Sequence, residues 1–153
     1  MKLGVISDTH DYFDPRLPGL FRDVDHILHA GDIGQYAILT QLEAIAPVTA
    51  VLGNNDLGLP LELVQVLTLA GKKFLLQHIV NPRALTDALR RRLAREQPDV
   101  VVFGHSHQAF AEGNGPTLFL NPGYAGRPRF GQARSVALLY GEAGGWRHEF
   151  LPL

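Results

Sequence analysis

Apolar residues in this chain come in short runs bounded by glycine, proline or charged residues, and the length and period of each run set the element it predicts. Lys2-Leu3-Gly4-Val5-Ile6-Ser7 is too brief for a helix and reads as a buried strand that ends just before Asp8. Asp14-Pro15 supplies a cap and a first position for a helix toward Arg22, kept short by Pro18 and Gly19. A strand is predicted over Val24–His29. A helix follows over Gln35–Ala46, with Ile38, Leu39, Leu42 and Ile45 on one stripe, and Pro47 ends it before a strand over 48–52. Leu63–Leu69 and Lys73–His78 flank Ala70-Gly71-Lys72 and read as a hairpin. The next helix has Asn81 as its cap, Pro82 at its first position, Leu85, Leu89 and Leu93 at four-residue spacing, and Pro98 beyond its end. A strand over 99–103 precedes four strand-like segments at 109–112, 117–120, 135–140 and 146–151, with the turn Asn121-Pro122-Gly123 among them. Alternating strands and helices followed by strands alone imply a mixed α/β fold, in which the late strands form a second sheet or extend the first one antiparallel.

The totals narrow the function. The 153 residues suit a single domain, and 46% apolar with 19% charged residues is ordinary globular composition. A net charge of −1 gives no broad basic field, so nucleic acid is not an expected partner. Arg90, Arg91, Arg92 and Arg95 read as the solvated face of a helix. No apolar run approaches the roughly 18 residues of a membrane span, and the N-terminal run is shorter than the roughly 7–15 apolar residues of a signal peptide, so a cytoplasmic protein without a membrane partner is expected. Cysteine is absent, which leaves only nitrogen and oxygen to ligate any metal.

Candidate ligands recur at strand ends. Asp8 and His10 follow the first strand, Asp32 follows Gly31, Asn54 follows Gly53, His78 ends the second arm of the hairpin, and His105 and His107 follow Gly104. In sheets flanked by helices, ligands bind outside the carboxyl ends of the strands, so side chains delivered by separate strands can converge there. Seven ligands exceed one tetrahedral zinc and suit two metals sharing a bridge, for which Asp32 is the natural choice because a carboxylate has two oxygens and its strand should lie centrally. Two cations about 3.5–4 Å apart bind phosphoryl oxygens, lower the pKa of a water and offset charge on the attacking and leaving oxygens, which is hydrolytic chemistry on a phosphoester.

In that order and spacing, Asp8-x-His10, Gly31-Asp32, Gly53-Asn54, His78 and Gly104-His105-x-His107 resemble the motif series of the calcineurin-like metallophosphoesterase superfamily. The length and the Asn121-Pro122-Gly123 turn are similar to its small single-domain bacterial and archaeal phosphodiesterases. The resemblance implies an α/β four-layer sandwich of two mixed β-sheets flanked by α-helices, with residues 1–153 as one domain. Carried over by position, one metal would take Asp8, His10, Asp32 and His107, and the other Asp32, Asn54, His78 and His105. The Asn and carboxylate oxygens suit manganese, with iron, nickel and zinc as alternatives. The implied reaction is hydrolysis of a small phosphodiester by in-line attack of a metal-bridging hydroxide, with Asp32, Asn54, Asn55 and His105 at the chemistry. The alternatives are a phosphomonoesterase or nucleotide phosphatase, or a non-catalytic binding scaffold like the phosphoesterase-like subunit of the retromer. The scaffold reading is disfavoured because it would need none of the seven ligands.

Two positions depart from the family pattern. Many members carry His directly after the metal-binding Asn; here it is Asn55, which donates a neutral hydrogen bond but is no acid near neutral pH. Ile79 follows His78 where glycine is usual, and it is expected to narrow the pocket. Of the other histidines, His26 and His148 read as structural, while His29 stands close enough to Gly31 to support a ligand. Asp11 and Asp56 adjoin ligands as orienting groups or turn caps, and Arg127 and Arg129 would meet a substrate phosphate or a neighbouring subunit, leaving a homo-oligomer open.

Overall fold

The computed structural model describes residues 1–153. In chain order the elements are β1 (Lys2–Ile6), α1 (Leu17–Leu20), β2 (His26–His29), α2 (Ala37–Glu43), β3 (Val48–Ala50), β4 (Val64–Leu69), β5 (Lys72–Gln77), α3 (Asp87–Glu96), β6 (Val100–Val102), β7 (Ala109–Asn114), β8 (Thr117–Pro122), β9 (Ser135–Glu142) and β10 (Gly145–Pro152). They form two five-stranded sheets, ordered β10-β9-β1-β2-β3 and β4-β5-β6-β8-β7. Three strands run parallel in each sheet, β1-β2-β3 at one side of the first and β5-β6-β8 in the middle of the second, and the remaining strands pair antiparallel. Both expectations for the late strands are realised: β7 and β8 complete the second sheet, while β9 and β10 extend the first antiparallel along β1.

Side-chain alternation explains the layering. In β1, Leu3 and Val5 enter an apolar layer between the sheets, where they meet Phe74 and Leu76 of β5 and Val100 and Val102 of β6. The alternate residue Ile6 points the other way, under Leu17, Phe21, Ile38, Leu39 and Leu42 of the α1 and α2 region. On the far side, Leu75 and Val101 face Leu89 of α3. The order is therefore helix, sheet, sheet, helix, a four-layer sandwich. Gly4 is where β1 passes beneath Phe21, since a Cβ there would lie 3.0 Å from the ring.

The helices are shorter than their sequence patterns. The segment after Asp14 makes a single turn, because Asp14 accepts from Arg16 Nε at 2.9 Å and from Arg134 at 2.8 Å rather than capping a longer helix. That pair clamps the start of the chain to the approach of β9 across 120 residues. The third helix starts at Asp87, not at Pro82: Thr86, in an extended conformation, accepts from Leu89 N at 3.2 Å. Asn81 instead accepts from Arg83 N at 3.0 Å and closes a turn over Pro82. No helix is long and apolar enough to cross a membrane.

Candidate metal centre

The parallel strands all end at one edge of the sandwich, and the sequence-predicted ligands sit in the loops that leave them. Backbone hydrogen bonds continue the β1–β2 ladder into these loops: Asp8 N donates to Gly31 O, His10 N to Asp32 O and Asp11 N to Ile33 O, each at 3.0 Å. The two sheets meet here as well, because His105 N, beyond β6, donates to Asp8 Oδ2, beyond β1, at 3.1 Å. Turning a strand end sharply enough to aim its side chain inward forces the left-handed backbone region. Asp8, His10, Asp32, His105 and His107 have φ of 57°, 44°, 53°, 70° and 59°. Each such residue costs about 1 kcal/mol, and a clustering of strain of this kind marks a site where orientation is over-determined by its surroundings.

Three buried polar atoms in this rim have no hydrogen-bond partner: Asp8 Oδ1, His10 Nε2 and His78 Nε2. They point at one another. Asp8 Oδ1 lies 3.3 Å from His107 Nε2 and 3.8 Å from both His10 Nε2 and His78 Nε2. Asp32 Oδ2 lies 3.4 Å from His78 Nε2 and 3.7 Å from His10 Nε2. Ligand atoms at about 2.1 Å from a tetrahedral zinc-like ion stand about 3.4 Å apart, so these spacings fit cation binding. The geometry gives two triads, Asp8–His10–His107 and Asp8–Asp32–His78. Asp8 belongs to both, and Asp32 reaches toward His10 as well as His78, so two carboxylates rather than Asp32 alone lie between the candidate positions. Unpaired buried polar atoms are costly in a folded chain, and a nitrogen–oxygen set gathered this closely is a donor set that a divalent cation satisfies.

Each inner residue is oriented from behind. His78 Nδ1 donates to Ala30 O at 2.7 Å, which leaves Nε2 as the bare nitrogen facing the cluster. Asp8 Oδ2 accepts from Ser7 Oγ at 2.7 Å and from His105 N at 3.1 Å, so only Oδ1 is left for the cluster. Asp32 is held by Asn55, whose backbone N–H and side-chain amide donate at 2.9 and 2.8 Å. Burial pushes the Asp32 carboxyl up, but these two hydrogen bonds, with His78 and His10 nearby, carry the balance below the ordinary carboxylate value. Asp56 collects Ile33 N, Gly34 N and Gly53 N and so knits the β2 and β3 exits together, and Asp11 accepts from Gln35 N. Glycines make room: a Cβ on Gly31 would lie 2.9 Å from His78 Nδ1, and one on Gly53 would run into Asp32.

His29 supports the loop from beneath. Its Nδ1 accepts from Gly31 N at 3.2 Å, so Nε2 carries the proton and donates to Thr9 Oγ1 at 3.0 Å, which in turn donates to Ile33 O at 2.9 Å. Burial holds this imidazole neutral, down to about 3. Thr9, between Asp8 and His10, is therefore fixed by a chain of hydrogen bonds that sequence reasoning did not find. Tyr124 was also missed. It is fully buried, stacks at 4.7 Å on the His107 ring and lies 6.2 Å from the His10 ring. Its place one residue after the Asn121-Pro122-Gly123 turn was the available signal. Asn121 in that turn donates to Gly104 O at 2.9 Å and so sets the His105–His107 loop.

The remaining candidates divide. His105 Nδ1 donates to Asn54 Oδ1 at 3.0 Å, and both side chains are exposed at the rim, with the His105 ring 5.4 Å from that of His78. Asn55 is turned toward Asp32, to which its side-chain amide donates. Arg127 lies over the Tyr12 ring at 5.4 Å and Arg129 over Tyr124 at 5.3 Å, flanking the His10–His107 side. His26 bonds Thr49 Oγ1 at 2.8 Å, and His148 lies on β10 beside Phe150. Arg92 is not on a solvated face but lines a cleft.

Comparison with known proteins gives a consistent result. Residues 1–144 match the model of the calcineurin-like phosphoesterase superfamily domain. A probable metallophosphoesterase of Methanothermobacter thermautotrophicus is 38% identical over 137 residues, covering 84% of this chain and 80% of its own. A phosphodiesterase of Methanocaldococcus jannaschii is 29% identical over 143 residues, covering 80% of this chain and 83% of its own. Among solved structures, Vps29 of Entamoeba histolytica complexed with zinc shares the fold with a TM-score of 0.76 at 23% identity, covering 99% of both chains.

Proposed function

Because the chain belongs to the calcineurin-like phosphoesterase superfamily, we propose that it is a phosphodiesterase dependent on two divalent cations. The observation that carries this is the set of unpaired, inward-facing atoms on Asp8, His10 and His78, at ligand spacing from one another and from His107 and Asp32. Asp8, His10, Asp32 and His107 would hold one cation, and Asp32, Asn54, His78 and His105 the other. Bound there, the cations supply Lewis acidity toward phosphoryl oxygens and a water acidified enough to attack phosphorus. The Asn and carboxylate oxygens suit manganese, with iron, nickel and zinc as alternatives.

The chain's own residues do the rest. Ser7 and the His105 amide hold Asp8 with one oxygen free, Asn55 keeps Asp32 ionised, and Ala30 fixes the tautomer of His78. Asn55 has no acidic proton to give, so the leaving oxygen departs unassisted by it, and esters of acidic alcohols such as p-nitrophenol should react faster than alkyl esters. The side chains of His10 and His107 are 25% and 26% exposed, which leaves the rim open to a substrate with two ester arms.

Hydrolysis of bis(p-nitrophenyl) phosphate and p-nitrophenyl phosphate by metal-stripped protein, before and after manganese is added, tests this reading. Manganese-dependent hydrolysis that favours the diester is expected. Preference for the monoester would make the chain a phosphomonoesterase, and no hydrolysis with any divalent cation by folded protein would favour a binding scaffold.

A further inference from the structure

A cleft of about 340 Å3 opens beside the cluster, and Asn54 and His78 form part of its wall. That volume lies at the low end of the roughly 300–1,000 Å3 of small-molecule pockets, enough for one nucleoside-sized group but not for an extended chain. Leu63, Ile79 and Leu89 line it. Leu63 and Ile79 are 66% and 52% exposed, so Ile79 extends an apolar wall outward rather than closing the opening. Arg92 completes the lining, and no carboxylate does.

The helix explains why this arginine differs from its neighbours. Arg92 stands three residues after the buried Leu89, so it shares the inward face of α3 while Arg90, Arg91 and Arg95 turn outward. Arg83, Arg95, Arg134 and Arg147 each pair with a carboxylate. Arg92 is half-buried and has no such partner, so a guanidinium with a planar fork of donors faces the cleft unmatched. A second cleft, beside His107, is lined by Gln108, Gln132 and Ser135 and offers neither an apolar wall of this kind nor an arginine.

We propose that the cleft between β5 and α3 seats one arm of the substrate, a nucleoside whose flat ring lies against Leu63 and Ile79 and whose second phosphate binds Arg92. The substrate class is then a nucleotide phosphodiester. This assignment rests on the phosphodiesterase reading for its chemistry, but the binding it requires is separable from catalysis.

Metal-stripped protein titrated with thymidine 3′,5′-bisphosphate or with thymidine, and followed by methyl NMR, tests it. The bisphosphate is expected to shift the methyl signals of Leu63, Ile79 and Leu89 and to bind roughly tenfold or more tightly than thymidine, the size of a charge-assisted hydrogen bond. Arg92→Gln, a substitution at a half-buried helix position whose fold is checked by its melting curve, should remove that margin. Unshifted methyls, or the same margin in Arg92→Gln, would overturn the proposal. Hydrolysis of thymidine 5′-(p-nitrophenyl phosphate) with manganese is scored separately. Nucleotide binding without hydrolysis would sink the phosphodiesterase reading and leave the cleft a nucleotide site. Hydrolysis without the binding margin would do the reverse.

Discussion

On the inner side of the cluster, Asp8, Asp32 and His78 are almost fully buried, and each is held by hydrogen bonds from another part of the chain. On the outer side, Asn54 and His105 are exposed and bond to each other. The inner side is shaped before any cation arrives, and its unpaired atoms are the cost of that readiness. The side chains of the outer side are held only by each other, so they are free to re-orient when a cation arrives. The position that Asn54 and His105 would complete should therefore bind its cation more weakly than the one formed by Asp8, His10, Asp32 and His107, although their donor types are similar.

The sharpest way to break this comparison is to remove the carboxylate nearest to both sides. Asp32→Ala should lower manganese-dependent diester hydrolysis by about a thousandfold or more, corresponding to the several kcal/mol that cationic charge stabilisation supplies. Steady-state rates at saturating manganese check this. A loss of less than tenfold would show that Asp32 is peripheral.

A smaller effect sharpens the contrast from behind the site. Thr9→Val removes the hydroxyl between His29 and Ile33 O without touching a candidate ligand. Metal affinity should fall about 10–100-fold, the usual effect of losing a group that orients a ligand. Calorimetric titration reads it, and unchanged affinity would mean that the Asp8–His10 loop holds its shape unaided.

The next effect depends on pH. His29 titrates near 6.5 in the unfolded chain and only at about 3 when folded, so below 6.5 the unfolded state gains a proton that the native state refuses. Stability should therefore fall as pH drops, by up to about 1.4 kcal/mol per unit between 6.5 and 3. Unfolding free energies of metal-stripped protein from urea titrations at pH 7 and pH 5 should differ by about 2 kcal/mol from this group, and His29→Gln should flatten the difference. Asp14, whose carboxyl the Arg16 hydrogen bond holds well below its ordinary value, adds to the loss only at more acidic pH.

The smallest effect has the opposite sign from most substitutions. Asp8→Asn places an amide N–H where Asp8 Oδ1 faces His107 Nε2 at 3.3 Å. The metal-stripped protein should gain about 1 kcal/mol, read as a melting temperature about 2–4 °C higher, and should lose its stabilisation by manganese. A lower melting temperature in the stripped protein would show that the cluster is not strained without its cations.

What the sequence disclosed follows the same division. Strand ends were legible because β1 and β6 are buried on both faces and so read as continuous apolar runs that stop at Asp8 and at Gly104-His105. The candidate ligands are local to those ends, so seven could be named as candidates, and five of them, Asp8, His10, Asp32, His78 and His107, gather at ligand spacing. What was not legible acts at a distance. Thr9 matters through His29, Asn55 through Asp32, and Tyr124 through a ring that arrives from β6. The true start of α3 was hidden because Asn81-Pro82 satisfies the local rules for a cap, while the Thr86 hydroxyl wins in the folded chain. Arg92 looked like one of a basic row until α3 was laid against the cleft.

Manganese titration of metal-stripped protein, followed by calorimetry with Asn54→Ala and His105→Ala alongside, tests the two-sided centre most directly. The account expects two ions per chain with separated affinities, and loss of only the weaker in either variant. One ion, none, or the loss of both in a rim variant would contradict it.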